Sequence, residues 1–162
     1  MSSNPRTDLK GLPLQELETF LSRWGKERYR ARQISRWIYQ RFAEDFSSMS
    51  DLSKPFREEL ARECRISAPP AERLEISSDG TEKFLFRLED GETVESVLIP
   101  EEERRTLCIS SQVGCALKCG FCATGEAGFR RNMTSAEIVQ QLCFGSKRLS
   151  GRGERLSNVV FM

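Results

Sequence analysis

The spacing of apolar residues changes near residue 69, and this change constrains the fold more than any other feature of the chain. Before it, apolar residues recur at every third or fourth position, as in "LPLQELETFLSRWG" and "RYRARQISRWIYQRF", which is typical of amphipathic helices. After the proline-containing segment "SAPPAE" they alternate with polar residues, as in "EKFLFRLEDG", which is typical of strands. The sequence therefore predicts an α/β chain with a helical N-terminal domain.

Residues 1–66 are expected to form three helices. Pro13 suits the first turn of the first helix, and Gly25 suits its end. The residues expected to face inward are Leu14, Leu17, Leu21 and Trp24 in the first helix, Ala31, Ile34, Ile38 and Phe42 in the second, and Phe56 and Leu60 in the third.

Residues 67–105 are expected to form a linker and a small antiparallel β meander. The linker is placed at Ser67 to Glu72, where two prolines interrupt both periods. Two Asp-Gly pairs, Asp79-Gly80 and Asp90-Gly91, are flanked by alternating apolar residues and predict tight turns between antiparallel strands.

Residues 106–162 are expected to form a strand, a cysteine-rich loop, a helix and a second strand. "TLCIS" predicts the first strand, and "TSAE" has the form of a capping box that opens the helix. Ile138, Val139, Leu142 and Cys143 are predicted to lie on the inward face of this helix. "NVVFM" is predicted to be a buried strand. Because such a strand at Met162 would have a neighbour on one side only, we expect the chain to be a piece of a larger α/β domain.

The cysteine content indicates metal binding or thiol chemistry. The start of the chain lacks the apolar region of a secretory signal, and no apolar run has the length of a membrane span, so we expect a cytoplasmic protein without a membrane partner. In a reducing compartment cysteines seldom form a disulfide framework. The chain has no histidine, which removes mixed Cys/His zinc patterns. The six cysteines are Cys64, Cys108, Cys115, Cys119, Cys122 and Cys143.

Three of these cysteines lie within eight residues, in "GCALKCGFCATG". Glycines around Cys115, Cys119 and Cys122 would let the backbone curl around a bulky inorganic core. Three thiolates could hold an iron–sulfur cube and leave one iron open to another ligand. Zinc with Cys108 as a fourth ligand, or unligated thiols, would also account for the cysteines. The spacing favours the iron–sulfur site and leaves both alternatives open.

The segment from Arg23 to Arg41 carries seven basic residues and one acid, although the net charge of the whole chain is +1. Aromatic side chains, Tyr29, Trp37 and Tyr39, are interleaved with the arginines. Such a segment could bind RNA phosphates and bases, or it could be the solvated face of an amphipathic helix. From the residues alone the two interpretations have equal weight.

The cysteine loop resembles the cluster loop of radical S-adenosylmethionine (SAM) enzymes, which have the pattern CxxxCxxC with an aromatic residue before the last cysteine. The longer stretch "CISSQVGCALKCGFCATGEAGFRRNMTSAEI" resembles the RlmN/Cfr family of RNA adenine methyltransferases. "YRARQISRWIYQRF", "DLSKPFREEL", "VESVLIPEEERRTLC" and "NVVFM" are similar to other blocks of that family, in the same order. "SSQVGCALKC" is more similar to the RlmN branch, which methylates C2 of adenine, than to the Cfr branch, which methylates C8.

The resemblance implies roles for five residues. Cys115, Cys119 and Cys122 would ligate a 4Fe-4S cluster that, when reduced, splits SAM to give a 5'-deoxyadenosyl radical. A methylated cysteine near the C-terminus of family members would then donate a carbon to adenine C2. Glu95 matches the proposed proton acceptor, and Cys108 matches the cysteine that resolves the protein–RNA adduct through a transient disulfide. By pattern alone, Glu95 is a solvent-facing carboxylate and Cys108 a small buried strand residue.

The resemblance also implies an architecture and partners. Residues 1–66 would be a helical accessory RNA-binding domain, 67–105 the linker and meander, and 106–162 the start of a radical SAM partial (β/α) barrel. The partners would be 23S rRNA, tRNA and a reducing electron-transfer protein. Further barrel repeats, the SAM-binding segment and the methyl-carrying cysteine would lie beyond Met162, so the 162 residues alone should be inactive. A non-enzymatic zinc-binding RNA-binding module and a radical SAM enzyme with a non-RNA substrate remain alternatives.

Overall fold

The computed structural model describes residues 6–68, 70–117, 119–120, 122–126 and 128–162 of the chain. The chain divides into two compact units, residues 1–68 and 69–162. Among the described residues, no helix has both the length and the apolar character needed to cross a membrane.

The first unit is helical, as its period predicts. Its elements in chain order are β1 (Thr7–Asp8), a short 3-10 helix (Leu9–Gly11), α1 (Leu14–Ser22), α2 (Arg28–Tyr39), α3 (Lys54–Glu63) and β2 (Cys64–Arg65). The two short strands pair in parallel. The three predicted helices are therefore confirmed.

The core of the first unit is formed mainly by the predicted inward faces. Its buried apolar side chains include Leu17, Leu21, Ala31, Ile34, Ile38, Met49, Phe56 and Leu60. Gly25 has a φ of +67° directly after α1, where the left-handed region favours glycine and ends a helix. Two predictions were wrong in detail. Leu14 is exposed in the first turn of α1, and Phe42 cannot share the inward face of α2, because the helix ends at Tyr39 and Phe42 has a φ of +53°.

The second unit is built on a mixed sheet. Its elements in chain order are β3 (Ala71–Ile76), β4 (Glu82–Arg87), β5 (Thr93–Pro100), β6 (Arg105–Ile109), β7 (Gln112–Val113), α4 (Ala123–Glu126), β8 (Arg131–Asn132), α5 (Ser135–Ser150) and β9 (Asn158–Phe161). The main sheet has the strand order β3-β4-β5-β6-β9. All its neighbours are antiparallel except β6 and β9, which are parallel.

The Asp-Gly pairs form the turns of the antiparallel meander, as predicted. Gly80 and Gly91 have φ values of +83° and +86°, a conformation that glycine adopts without steric cost. Asp79 and Asp90 each accept a main-chain hydrogen bond two residues further on, from Thr81 and Glu92. The first strand of the meander, β3, starts at Ala71, so the last two residues of the predicted linker belong to this strand. The predicted boundary between residues 105 and 106 stays a prediction; it falls inside β6, which pairs with β5 in one sheet.

One face of the main sheet is covered by α5. The buried apolar core includes Phe84, Phe86, Val94, Leu98, Leu107, Ile109 and Leu149. The predicted inward face of α5 is correct for Cys143, which is buried, and for Ile138 and Leu142, which are partly buried and pack against this core, whereas Val139 is partly buried and not part of the core. Two glutamines on the same helix, Gln140 and Gln141, are also buried, which the sequence did not predict.

The strand β9 is present where "NVVFM" predicts it, but the prediction that it is buried was wrong for this chain. Val159, Val160 and Phe161 are exposed, with 63% of Phe161 accessible. The reason is that β9 lies at the edge of the sheet and pairs with β6 only.

A buried carboxylate joins the sheet to α5. Glu82 on β4 is only 2% exposed. It accepts hydrogen bonds from Arg148 Nε and Arg152 Nη2, near the end of α5. A buried charge is tolerated only when it is paired and hydrogen-bonded, and both conditions hold here.

Candidate metal-binding loop and active-site face

The cysteine loop is closed at its base by a two-stranded ribbon that the sequence did not predict. In this ribbon β7 pairs with β8, so that Gln112 is opposite Asn132 and Val113 is opposite Arg131. The N–H of Arg130 also donates to the carbonyl of Val113 at 2.9 Å. The residues between the strands therefore form a loop whose two ends are fixed against each other.

Two glycines make this closure possible. Gly114 and Gly128, which both lie in the loop between the two strands of the ribbon, have a φ of +73°. A β-carbon built on Gly114 would lie 1.7 Å from the carbonyl oxygen of Gly128, which is far shorter than any contact between non-bonded atoms. Glycine at position 114 is therefore required both by the backbone conformation and by the contact across the loop.

The three loop cysteines have free thiols and are partly buried. The N–H of Cys122 donates to the carbonyl of Cys119 at 3.1 Å, which forms a tight turn between the two. Hydrogen bonds from the N–H of Gly125, and then of Thr124, lower the pKa of the Cys122 thiol. Because the thiolate is the form that binds metals, these bonds favour ligation.

These donors fit an iron–sulfur cluster in chemistry, since they are three thiols on one closed loop and one of them is stabilised as a thiolate. Within the described ranges, no three His, Cys, Asp or Glu side chains lie together as metal ligands. Phe121, the aromatic residue of the predicted motif, lies outside the described residues.

The helix after the loop is anchored to the loop's second end. Thr134 and Glu137 form the predicted capping box at the start of α5. The Glu137 carboxylate also accepts two hydrogen bonds from Arg131, at 2.8 and 2.9 Å. Arg131 donates further to Asp90 at 2.7 Å. The sequence indicated the capping box, but not the arginine that ties it to the ribbon.

Glu95 and Cys108 lie on the sheet face opposite α5. In the register of β5 and β6, Val97 is opposite Cys108, and Glu95 is two residues earlier on the same face. Glu95 is largely exposed and lies 3.4 Å from the ammonium of Lys83 on β4. Glu75 first, and then Glu95, raise the pKa of Lys83. The structure thus places both predicted residues on one accessible face; their roles stay predictions.

The first unit presents a basic helix face. Arg28, Arg32 and Arg36 on α2 are exposed, one turn apart, on the side away from the buried Ala31 and Ile34. Tyr29 is 49% exposed, and the guanidinium of Arg30 lies 4.6 Å from the centre of its ring. This face combines positive charge with an accessible aromatic ring.

Comparison with known proteins shows what this chain is similar to. Residues 7–66 match the family model described as the ribosomal RNA large subunit methyltransferase N-terminal domain. A dual-specificity RNA methyltransferase RlmN from Geobacter sulfurreducens is 57% identical over 155 residues, which cover 96% of this chain and 42% of the relative. Over nearly its whole length, the chain is similar to RlmN methyltransferases. A second RlmN, from Geotalea uraniireducens, is 53% identical over 97% of the chain and 44% of its own length.

A solved structure supports the same assignment. The crystal structure of a radical SAM methyltransferase from Sphaerobacter thermophilus matches the chain with a TM-score of 0.88 and 40% identity. The match covers 96% of this chain and 47% of that protein. The chain therefore spans less than half the length of the RlmN relatives and of the structural neighbour that it matches.

Proposed function

We propose that the full-length protein containing this chain is a radical SAM methyltransferase that methylates C2 of adenine in 23S rRNA and in tRNA. The observation that carries the proposal is the three-cysteine loop, which lies in a chain 57% identical to a dual-specificity RNA methyltransferase RlmN. The similarity to a solved radical SAM methyltransferase supports the same reaction class.

Cys115, Cys119 and Cys122 would hold a 4Fe-4S cluster. Three thiolates leave one iron without a protein ligand, and the bound cluster would supply this open position for SAM together with the electron that cleaves it. The hydrogen bonds at Cys122 support the thiolate form, and the closed base at Gly114 and Gly128 limits how far the three thiols can separate.

Glu95 would accept the proton that adenine C2 loses. The ammonium of Lys83 lies 3.4 Å from this carboxylate and would help to hold it in position on the sheet face. Cys108 would release the product by attacking the sulfur of the methyl-carrying cysteine: the S–S bond of a transient disulfide would form as the S–C bond to the RNA-attached carbon breaks, and that carbon would leave with the electron pair and take up a proton to become the methyl group. The position of Glu95 and Cys108 on one accessible sheet face supports a shared site.

The exposed arginines of α2 would bind RNA phosphates, and Tyr29 would stack on a base. Positive charge and an accessible ring are the two features that structured RNA requires of a binding face. A cytoplasmic electron-transfer protein would reduce the cluster.

The function can be tested by expressing the full-length protein in cells that lack adenine C2 methylation. Mass spectrometry of digested 23S rRNA and tRNA should reveal 2-methyladenosine. C122A should abolish the product, whereas C143A, which removes a buried thiol outside the loop, should retain it. Methylation that survives C122A, or a protein that carries zinc without sulfide after anaerobic preparation, would contradict the proposal. The 162-residue chain alone is expected to be inactive.

A further inference from the structure

Two side chains on α5, one helical turn apart, hold the two ends of the segment that carries the cysteines. Glu137 binds Arg131 at the second end of this segment. Gln141 binds Ser110 at the first end, directly after β6. Residues four positions apart on a helix lie on the same face, so one helix face reaches both ends.

Gln141 acts on the main chain of Ser110 as a neighbouring strand would. Its Oε1 accepts from the N–H of Ser110 at 2.8 Å, and its Nε2 donates to the carbonyl of Ser110 at 2.8 Å. The β6 strand ends one residue earlier, at Ile109. The amide side chain therefore continues the hydrogen bonding of the sheet to the point where the chain leaves toward the cysteine loop.

The same amide is connected to the strand that carries the proposed base. Gln141 Oε1 also accepts from the hydroxyl of Ser96, at 2.6 Å. The hydroxyl of Ser110 donates to the carbonyl of Glu95 at 2.8 Å. Ser110 is thus tied to Glu95 on one side and to Gln141 on the other, which links helix, loop and base in one network.

The burial of Gln141 indicates that its amide is present to form hydrogen bonds and not only to fill space. Gln141 is 2% exposed, and Ser96 is fully buried. An amide in such a place costs free energy unless its groups are bonded, and an aliphatic side chain would fill the same space without that cost. Both polar atoms of Gln141 are bonded, and each bonds Ser110.

We propose that Gln141 is a positioning residue for the methyl transfer, which sets the start of the cysteine loop and the main chain at Glu95 through Ser110. The inference rests on the proposed function, because it assigns a role in that site. Gln141 is buried and acts through the groups that it binds, Ser96 and Ser110.

The test compares Q141M with L149A in the full-length protein. Methionine keeps the volume and the helix-forming character of glutamine but removes the amide. Leu149 is buried near the other end of the same helix, so L149A destabilises the unit without touching the loop. Three properties are measured for both variants. They are the hydrogen exchange of the peptides around Ser110, the electron paramagnetic resonance (EPR) spectrum of the reduced cluster with and without SAM, and the methylation rate.

We expect Q141M to exchange faster around Ser110, to show an altered EPR response to SAM, and to lose about tenfold or more in methylation rate, as outer-shell substitutions at metal sites do. L149A should lower the melting temperature while its exchange around Ser110 and its EPR spectrum match the wild type. If Q141M and L149A show the same hydrogen exchange around Ser110 and the same EPR response to SAM, the inference is overturned.

If Q141M does not fold, a second variant, Q141E, tests the positioning role of Gln141. Q141E has the same shape and keeps the acceptor oxygens, but its carboxylate cannot donate to Ser110. We expect faster exchange around Ser110 and an altered EPR response in Q141E, and wild-type results in both would reject the role. A wild-type protein that takes up no cluster would instead refute the proposed function, which separates the two failures.

Discussion

The carbonyl oxygen of Gly128 occupies the space in which a side chain on Gly114 would lie. The two residues are fourteen positions apart in the chain, and their contact closes the cysteine loop immediately above the β7–β8 ribbon. The shape of the loop is therefore fixed at its base, by backbone packed against backbone.

G114A should open this base and reduce cluster loading. The left-handed backbone at Gly114 costs an alanine about 1–2 kcal/mol, and the overlap with Gly128 adds to that cost because backbone cannot move aside as a flexible side chain can. G153A is the matched control, since Gly153 has a similar φ of +75° and a β-carbon there would have no neighbouring atom within 4 Å. Iron and sulfide content after anaerobic reconstitution should fall in G114A and not in G153A. Equal loss in both variants would mean that the contact with Gly128 has no effect.

Cys122 and Cys64 should differ strongly in reactivity toward alkylating agents. Hydrogen bonds from Gly125 and Thr124 lower the pKa of Cys122. Burial, with smaller effects of two nearby glutamates, raises the pKa of Cys64 to about 12, and its side chain is fully buried. At about pH 8, iodoacetamide should modify Cys122 of the metal-free protein first and Cys64 only as the helical unit unfolds, because the thiolate is the nucleophile. Peptide mass spectrometry over time gives the order, and early modification of Cys64 in folded protein would contradict it.

The stability of the second unit should fall in acid through Glu137. Burial alone would raise the pKa of this carboxyl, but hydrogen bonds from Arg131 and Thr134 outweigh it and hold the pKa below its ordinary value of 4.5. The folded state thus binds this proton less readily than the unfolded state does. The stabilisation is present above about pH 4.5 and is lost as the pH falls through the lower pKa of the folded state.

E137Q should lower the stability of the second unit at neutral pH and reduce its loss of stability in acid. The matched control is E103Q, which removes a carboxylate from an exposed position outside the helices and strands. Urea unfolding between about pH 3 and 7 tests the difference, and parallel acid profiles for wild type and E137Q would show that Glu137 does not contribute.

Charge reversal on α2 should weaken RNA binding. R28E/R36E changes two exposed arginines on the proposed RNA-binding face, and K54E/R62E changes two exposed basic residues on α3 as a control with the same charge. For every phosphate that the variant no longer neutralises, the slope of log affinity against log salt should decrease by about 0.7–0.9. Filter binding to a 23S rRNA fragment over a range of salt concentrations measures both quantities. Equal effects of the two double variants would indicate general electrostatic attraction and no specific role for α2.

The parts of the fold that were predictable depend on neighbours in sequence. The helical faces of α1 to α3, the Asp-Gly turns and the capping box at Thr134 each follow from residues within one or two turns of one another. The exposure of β9 could not be read from its apolar run, because such a run gives the same pattern at the edge of a sheet as in its centre; the exposure follows from the expected pairing on one side only.

In the candidate site, too, the features that the sequence predicts are local, and the features that it does not predict join residues far apart in the chain. The three cysteines form a local motif, so their spacing alone indicated a metal. Gln141 is separated from Ser110 by 31 residues, and a glutamine in a helix has no sequence pattern that predicts burial. The ribbon β7–β8 is also formed by residues far apart in the chain, in strands of only two residues that are too short for any alternation to appear.

Glu82 on β4 binds Arg148 on α5, which is 66 positions later in the sequence. Because the ion pair joins β4 to a distant helix, it favours the register of β4 that directs Glu82 toward α5. Side chains alternate between the faces of a strand, so a slip of β4 by one residue would turn Glu82 away from α5 and direct Lys83 toward both arginines. The misaligned sheet would then hold three positive charges together with no carboxylate between them. Repulsion among these cations would reject the wrong pairing, whereas a purely aliphatic contact at this point would tolerate it.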